Sequence, residues 1–145
     1  MDSRIYFLLF VMFFNFSCAK KHDKTEQFYS DKELTLMMET SGAILDRELT
    51  VAIQFSDYSP GVDRENSKGL VYQRLSFYAI KFSTESSAKE EALRLNQYYA
   101  RNWLFDRVAG EPVLEDMVIS KFQATNPRNL VQRKSTHLAP NKPEA

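Results

Sequence analysis

LVYQRLSFYAIKFSTESSAKEEALRLNQYYARN, residues 70–102, holds a strand, a helix cap and a helix in direct succession. Leu70 to Phe82 is rich in aromatic and β-branched residues, and its apolar phase changes partway. Val71, Leu75 and Phe77 are odd-numbered, whereas Tyr78, Ile80 and Phe82 are even. A bulge near Phe77–Tyr78 produces such a change, as does a central strand covered on both faces. Ser83 or Thr84 then caps a helix over Glu85–Asn102. Along it Ala88, Ala92, Leu95, Tyr99 and Trp103 step by three and four residues, with Glu90, Arg94, Gln97 and Arg101 on the outer side. Tyr98, Tyr99 and Trp103 at its end suit packing on a sheet, and the sharper alternative is a ligand site.

Working outward, Glu48 to Tyr58 alternates, with Leu49, Val51, Ile53 and Phe55 on one side, which predicts a half-buried strand. DYSPGVDRENSKG, residues 57–69, predicts a long polar loop turning at Pro60–Gly61. Upstream, Ser30 and Glu33 have capping-box spacing, and Leu34, Met37, Met38, Ser41, Ile44 and Leu45 share one helical face. A strand at Leu34–Met38 followed by a Ser41–Gly42 turn is the rival reading of 31–45. Downstream, Trp103–Val108 alternates as a short strand. A turn at Ala109–Pro112 leads into a helix over Pro112–Gln123 that carries Val113, Leu114, Met117, Val118 and Phe122.

Together these elements predict one small α+β domain over residues 30–124, in the order α-β-β-α-β-α. Its antiparallel or mixed sheet has three to four strands covered by helices. The layout resembles split β-α-β or ferredoxin-like arrangements, in which helices cover one sheet face. Residues 18–29 read as a polar tether and residues 125–145, with three prolines and little to bury, as a disordered tail. Such a layout licenses no activity by itself.

The composition narrows the chemistry. Nineteen basic residues balance nineteen acidic ones, so the chain lacks the electrostatic footprint of a nucleic-acid binder. The two histidines, His22 and His137, fall in the tether and the tail, which argues against an oriented imidazole in a catalytic set. With one cysteine there is no Cys/His cluster for zinc or copper, and four glycines make no phosphate-cradling loop. No cofactor is expected. Asp57, Asp63 and Glu65 are examples of carboxylates that a loop could pair, and a solvated loop is their plainer explanation.

Met1–Cys18, MDSRIYFLLFVMFFNFSC, carries a basic Arg4 and an apolar run from Ile5 to Phe16 broken only by Asn15. A bilayer-spanning helix needs about twenty apolar residues, so a run of this length suits the core of a signal peptide over residues 1–17. Asn15-Phe16-Ser17-Cys18 resembles the lipobox of bacterial lipoproteins: Ser17 fits the place before the cysteine, while Asn15 and Phe16 stand where leucine and a small residue are usual. The resemblance implies diacylation of Cys18, which becomes the new N-terminus. Ala19 after it resembles the type sorted to the outer membrane, facing the periplasm. Ser17-Cys18-Ala19 also fits cleavage before Lys20 by the ordinary signal peptidase, and an uncleaved leader is a third outcome.

Two functions follow as expectations. The first is a lipid-anchored binding or structural module of the cell envelope, non-catalytic, held to the membrane through Cys18. It contacts a protein or peptide partner through a sheet edge, the 57–69 loop or the tail. The alternative is a soluble periplasmic or secreted protein, an enzyme working through carboxylates and tyrosines.

Overall fold

The computed structural model describes residues 27–130. The leader, Cys18, His22, most of the tether, and residues 131–145 with His137 lie outside them.

Ser30 opens the first helix, α1 (Asp31–Ser41). Its hydroxyl accepts from the Glu33 N–H at 3.2 Å, and the Glu33 carboxylate accepts from the Ser30 N–H at 2.8 Å. This reciprocal cap resolves 31–45 in favour of helix, and Leu34 and Met38 are its buried residues. Gly42, at φ +85°, ends it in the left-handed region. Ile44 and Leu45 therefore leave the helical face expected for them and form a short strand, β1 (Ile44–Asp46).

The strand expected over Glu48–Tyr58 is absent. Asp46 accepts from the Leu49 N–H at 2.9 Å and caps a one-turn helix, α2 (Arg47–Val51), while the Thr50 hydroxyl donates back to the Asp46 carbonyl at 2.6 Å. A short 3₁₀ turn follows at Phe55–Asp57. The apparent alternation breaks down physically: Leu49 is half-buried and Ile53 buried, but Val51 is 88% exposed.

The polar run expected to loop over 57–69 is instead mostly strand, β2 (Val62–Tyr72). Its register against the next strand slips between Asp63 and Lys68. There the Asp63 carboxylate accepts from Asn66 and the Asp63 carbonyl from Ser67, holding a bulge of polar residues. β3 is Leu75–Phe82. The segment expected as one strand, Leu70–Phe82, is thus the head of a hairpin whose two turn residues, Gln73 and Arg74, both have positive φ (48° and 71°). That is the type I′ pattern, here without the asparagine or glycine that usually marks it.

Thr84 caps α3 (Glu85–Leu95). Asn96, at φ +56°, ends this helix seven residues before the expected Trp103 end of its stripe, and β4 (Tyr98–Ala100) and β5 (Trp103–Asp106) follow. The last helix, α4, spans Pro112–Phe122.

The sheet has five strands, more than the three to four expected, in the order β1-β2-β3-β5-β4 with every pair antiparallel. Since β3 and β4 are each antiparallel to the β5 between them, they run parallel to one another, and β3-α3-β4 is a split β-α-β unit. Helices cover both faces rather than one. Phe77 and Ala79 of β3 pack with Leu34, Met38, Leu114 and Phe122 of α1 and α4. Tyr78, Ile80 and Phe82 pack with Ala88 and Ala92 of α3 and with Leu49. The phase change in the sequence is therefore a central strand buried on two sides, joined by a turn to its neighbour.

The packed chain extends past residues 30 and 124. Tyr29 is buried, its N–H donating to Asn102 and its carbonyl accepting from the Trp103 indole at 3.1 Å. Thr125 pairs with Tyr99, and Asn126 is buried. Among the described residues no helix is long and apolar enough to cross a membrane.

Candidate functional site

α1 and α4 share one face of a five-stranded sheet, and they leave the β1–β2 end of that face partly uncovered. A groove of about 620 Å³ lies there. Its floor is Lys68 and Leu70 of β2, one wall is Thr35, Met38 and Glu39 of α1, and the other side is Gly42 to Leu45. Leu45 pairs with Leu70, and Leu70 with Phe77, so all three point to the same face. Ile44 and Leu45 are 70% and 53% exposed, although leucine and isoleucine are among the residues most often buried. β1 is also an edge strand, its outer side unpaired among the described residues.

Among the described residues the floor carries one charged group, Lys68. Lys68 is two residues from Leu70 and opposite Ala79, so strand alternation aims it inward. Its Nζ donates to the Thr35 hydroxyl at 3.2 Å and lies 5.8 Å from the centroid of the buried Trp103 ring. Among the described residues no carboxylate is within ion-pair distance of it. Glu39 lines the same groove from the exposed side of α1 without reaching Lys68. Lys81 also lies 5.8 Å from the Trp103 centroid, but it is neutralised by Asp31 at 3.1 Å and Asp63 at 3.2 Å. Burial works to lower the Lys81 pKa, and hydrogen bonds to the two carboxylates overcome this and raise it.

The carboxylates and tyrosines singled out from the sequence do not converge. Asp63 holds the β2 bulge and Lys81. Burial works to raise its pKa, while hydrogen bonds from Asn66 and Lys81 hold it below the ordinary range. The Asp57 carbonyl accepts from Arg94, and Glu65 is in the bulge. Tyr98 and Trp103 are buried in the core, and Tyr99 is half-buried on the β4 edge. Tyr58 donates to Asp106 at 2.7 Å. Burial first, and then this bond, push its hydroxyl far above the ordinary tyrosine value, so it holds its proton firmly and serves as a clasp between the 3₁₀ turn and β5.

A second clasp is the buried Glu91 of α3. It accepts from the Ser59 N–H and hydroxyl and from both Nε and Nη2 of Arg94, at 2.6 to 3.0 Å. Burial alone would raise its pKa, but the hydrogen bonds from Arg94 and Ser59 outweigh that and lower it. Its four bonds are all to groups of the fold itself. Among the described residues there is no group of three or more His, Cys, Asp or Glu side chains placed to hold a metal.

Thr35, Glu39 and Lys68 are not singled out by sequence reasoning, and Leu45 enters it only as part of a helical face. One signal was available. Lys68, Leu70 and Tyr72 are spaced by two, and once residues 62–72 are recognised as a strand, Lys68 stands out as a charge in phase with the core. Neither family models, nor characterised proteins, nor solved structures match this chain.

Proposed function

We propose that this protein is a lipid-anchored component of the bacterial cell envelope and that its domain is a non-catalytic binding module working through the α1–β1 groove. The observation that carries the binding half is the groove itself. At about 620 Å³ it falls within the range of roughly 300–1,000 Å³ typical of ligand clefts, and exposed Ile44 and Leu45 stand at its margin. The anchor rests on the sequence. A cysteine ending an apolar leader delivers a thiol to the membrane surface, and each acyl methylene buried there contributes about 0.8 kcal/mol. Residues from Ala19 to Gln27 then tether the domain, with Ala19 favouring the periplasmic face of the outer membrane.

Two measurements test the two halves separately. Intact mass of the membrane-extracted protein should give a chain starting at Cys18 with a diacyl or triacyl increment, and Cys18→Ser should release the protein from the membrane. An unmodified chain starting at Lys20 sinks the anchor. For the groove, Trp103 is the only tryptophan in the chain and lies beneath Lys68, so its emission reports on occupancy. Components of an envelope extract should shift that emission in the mature Cys18→Ser chain and fail to do so when Leu45→Asp is added. An extract that leaves Trp103 silent in both refutes the groove as a binding site.

A further inference from the structure

We infer that the groove takes a single-chain amphiphile with one carboxylate, a long-chain fatty acid, its head on Lys68 and its tail along Met38, Ala43, Leu45 and Leu70. This rests on the groove being a binding site and goes further by naming what fills it. Charge decides the head. Among the described residues Lys68 is the one cation lining this groove, its ammonium held by the Thr35 hydroxyl at 3.2 Å and by the Trp103 face at 5.8 Å. An ammonium has three hydrogens to donate, and Thr35 takes one. A ligand carboxylate would accept from Lys68 and from the Thr35 hydroxyl, whose own hydrogen is uncommitted among the described bonds. Lys81, equally near Trp103, is excluded from this role because Asp31 and Asp63 already neutralise it.

Glu39 on the rim sets the limit on ligand charge. It is an exposed acidic residue of the groove lining, so a second negative charge on the ligand adds repulsion, and a monoanion fits better than a phosphate dianion. The rest of the lining is hydrocarbon or backbone of small residues, which favours an unbranched chain over a polar ligand. An extended peptide added to β1 is the competing occupant, but β1 offers only three residues of edge, and a peptide backbone gives no reason for a lone inward lysine.

The test is titration of Trp103 emission in the mature Cys18→Ser chain, with saturated fatty acids of eight to sixteen carbons and their methyl esters, all below micelle-forming concentrations. Acids should bind, and each added methylene should tighten binding about three- to fourfold until the groove is full. The ester should bind about tenfold more weakly than the acid of equal length. Lys68→Met, which keeps an unbranched chain of similar length, should erase that difference while retaining ester binding, and Thr35→Val should reduce it. Glu39→Gln should strengthen acid binding. Far-UV circular dichroism of each variant checks that it folds.

Equal binding of acid and ester, or an acid preference that survives Lys68→Met in a folded protein, overturns the fatty-acid assignment and leaves the groove as a site for something else. So does displacement of Trp103 emission by an extended apolar peptide with no response to any acid. Fatty-acid binding that persists unchanged in Leu45→Asp places the ligand elsewhere and overturns the assignment too. If no acid, ester or peptide perturbs Trp103, both this inference and the groove reading fall together.

Discussion

Replacing Gly69 by alanine tests how the domain holds its α2 layer. Gly69 lies on β2 opposite Asp46 and Tyr78, and its φ lies outside the left-handed region, so an alanine would suffer no backbone strain there. Space is the obstacle. A Cβ at this position would lie 2.4 Å from the Leu49 Cβ and 2.6 Å from the backbone carbon of Leu49 and the nitrogen of Thr50. Carbon atoms in good contact sit about 3.5–4.0 Å apart, so α2 would have to retreat by about 1 Å or more. The clash is with backbone, which cannot swing aside as a side chain can. Retreat would also stretch the bond from the Gly69 N–H to the Thr50 hydroxyl, now 2.9 Å, and loosen Leu49 from Tyr78 and Ile80. Overpacking costs about 1–3 kcal/mol and a lost hydrogen bond about 1 kcal/mol, giving about 2–4 kcal/mol in all.

Urea unfolding followed by circular dichroism measures this directly. With a slope of about 1–3 kcal/mol per molar urea, the midpoint should fall by roughly 1 M or more, and amides of Arg47–Val51 should lose hydrogen-exchange protection first. Gly110→Ala is the control, because Gly110 has the opposite liability. It sits at φ +93° with open space around its Cβ position, so alanine there costs about 1–2 kcal/mol of backbone strain and meets no clash. A glycine with neither constraint gains about 0.4–1 kcal/mol when changed to alanine. The sign is therefore decisive. A Gly69→Ala protein as stable as the parent or more so, or less damaged than Gly110→Ala, would refute the close approach of α2 to β2.

Gln73→Asn with Arg74→Gly would supply the residues a type I′ turn favours and should raise stability by about 1 kcal/mol, read as a higher urea midpoint. Glu91→Gln keeps the shape but loses the charge that Arg94 and Ser59 satisfy, and should cost about 1–3 kcal/mol at pH 7. The Glu91 pKa is depressed in the fold, so its contribution is present above the unfolded value of about 4.3 and fades as pH falls through the lower folded value. Parent and Glu91→Gln should thus converge in urea midpoint toward pH 3, and a gap that stays constant from pH 7 to 3 contradicts the ionic clasp. Tyr58→Phe should cost about 0.5–1.5 kcal/mol through the lost bond to Asp106 and leave fatty-acid titrations unchanged, which separates this clasp from the groove.

The elements legible in the sequence are those whose ends carry a chemical mark. Ser30 with Glu33, Ser83 or Thr84 before a helical stripe, and Pro112 at a first turn each place a helix start correctly, and the strand expected over Trp103–Val108 is present as Trp103–Asp106, although Trp103, Leu104 and Phe105 are all buried rather than alternating. Failures occur where the mark is missing or ambiguous. Gln73 and Arg74 turn the chain with none of the usual turn residues, so two strands read as one. Asn96 ends α3 in the left-handed region, yet the stripe from Ala88 continues by coincidence through Tyr99 and Trp103, which belong to β4 and β5. Residues 49–55 alternate over too short a span to separate a strand from a one-turn helix and a 3₁₀ turn, and the deciding contact, Thr50 on Gly69, is nineteen residues away.

The groove was hidden for a related reason. Its walls come from α1, β1 and β2, and β1 is three residues long, with apolar side chains that fit the preceding helix pattern equally well. Exposed leucine or isoleucine carries no meaning until the edge of the sheet is located, because much of any protein surface is apolar. Lys68 likewise reads as ordinary loop charge among Asp63, Arg64 and Glu65, and becomes unusual only when strand alternation turns it toward Trp103. An inward lysine on β2 just past its short pairing with β1 also discourages edge-to-edge aggregation, and that role alone would be met by any long cation. What separates the two roles is chemistry rather than position. Lys68→Arg preserves charge and edge protection but replaces a compact ammonium with a wide guanidinium fork over Trp103. If Lys68 serves only to guard the edge, Lys68→Arg should keep both solubility and stability with no distinctive ligand effect. If it seats a carboxylate head, Lys68→Arg should keep solubility while shifting the chain-length optimum for acids toward shorter tails, because the bulkier group fills part of the floor.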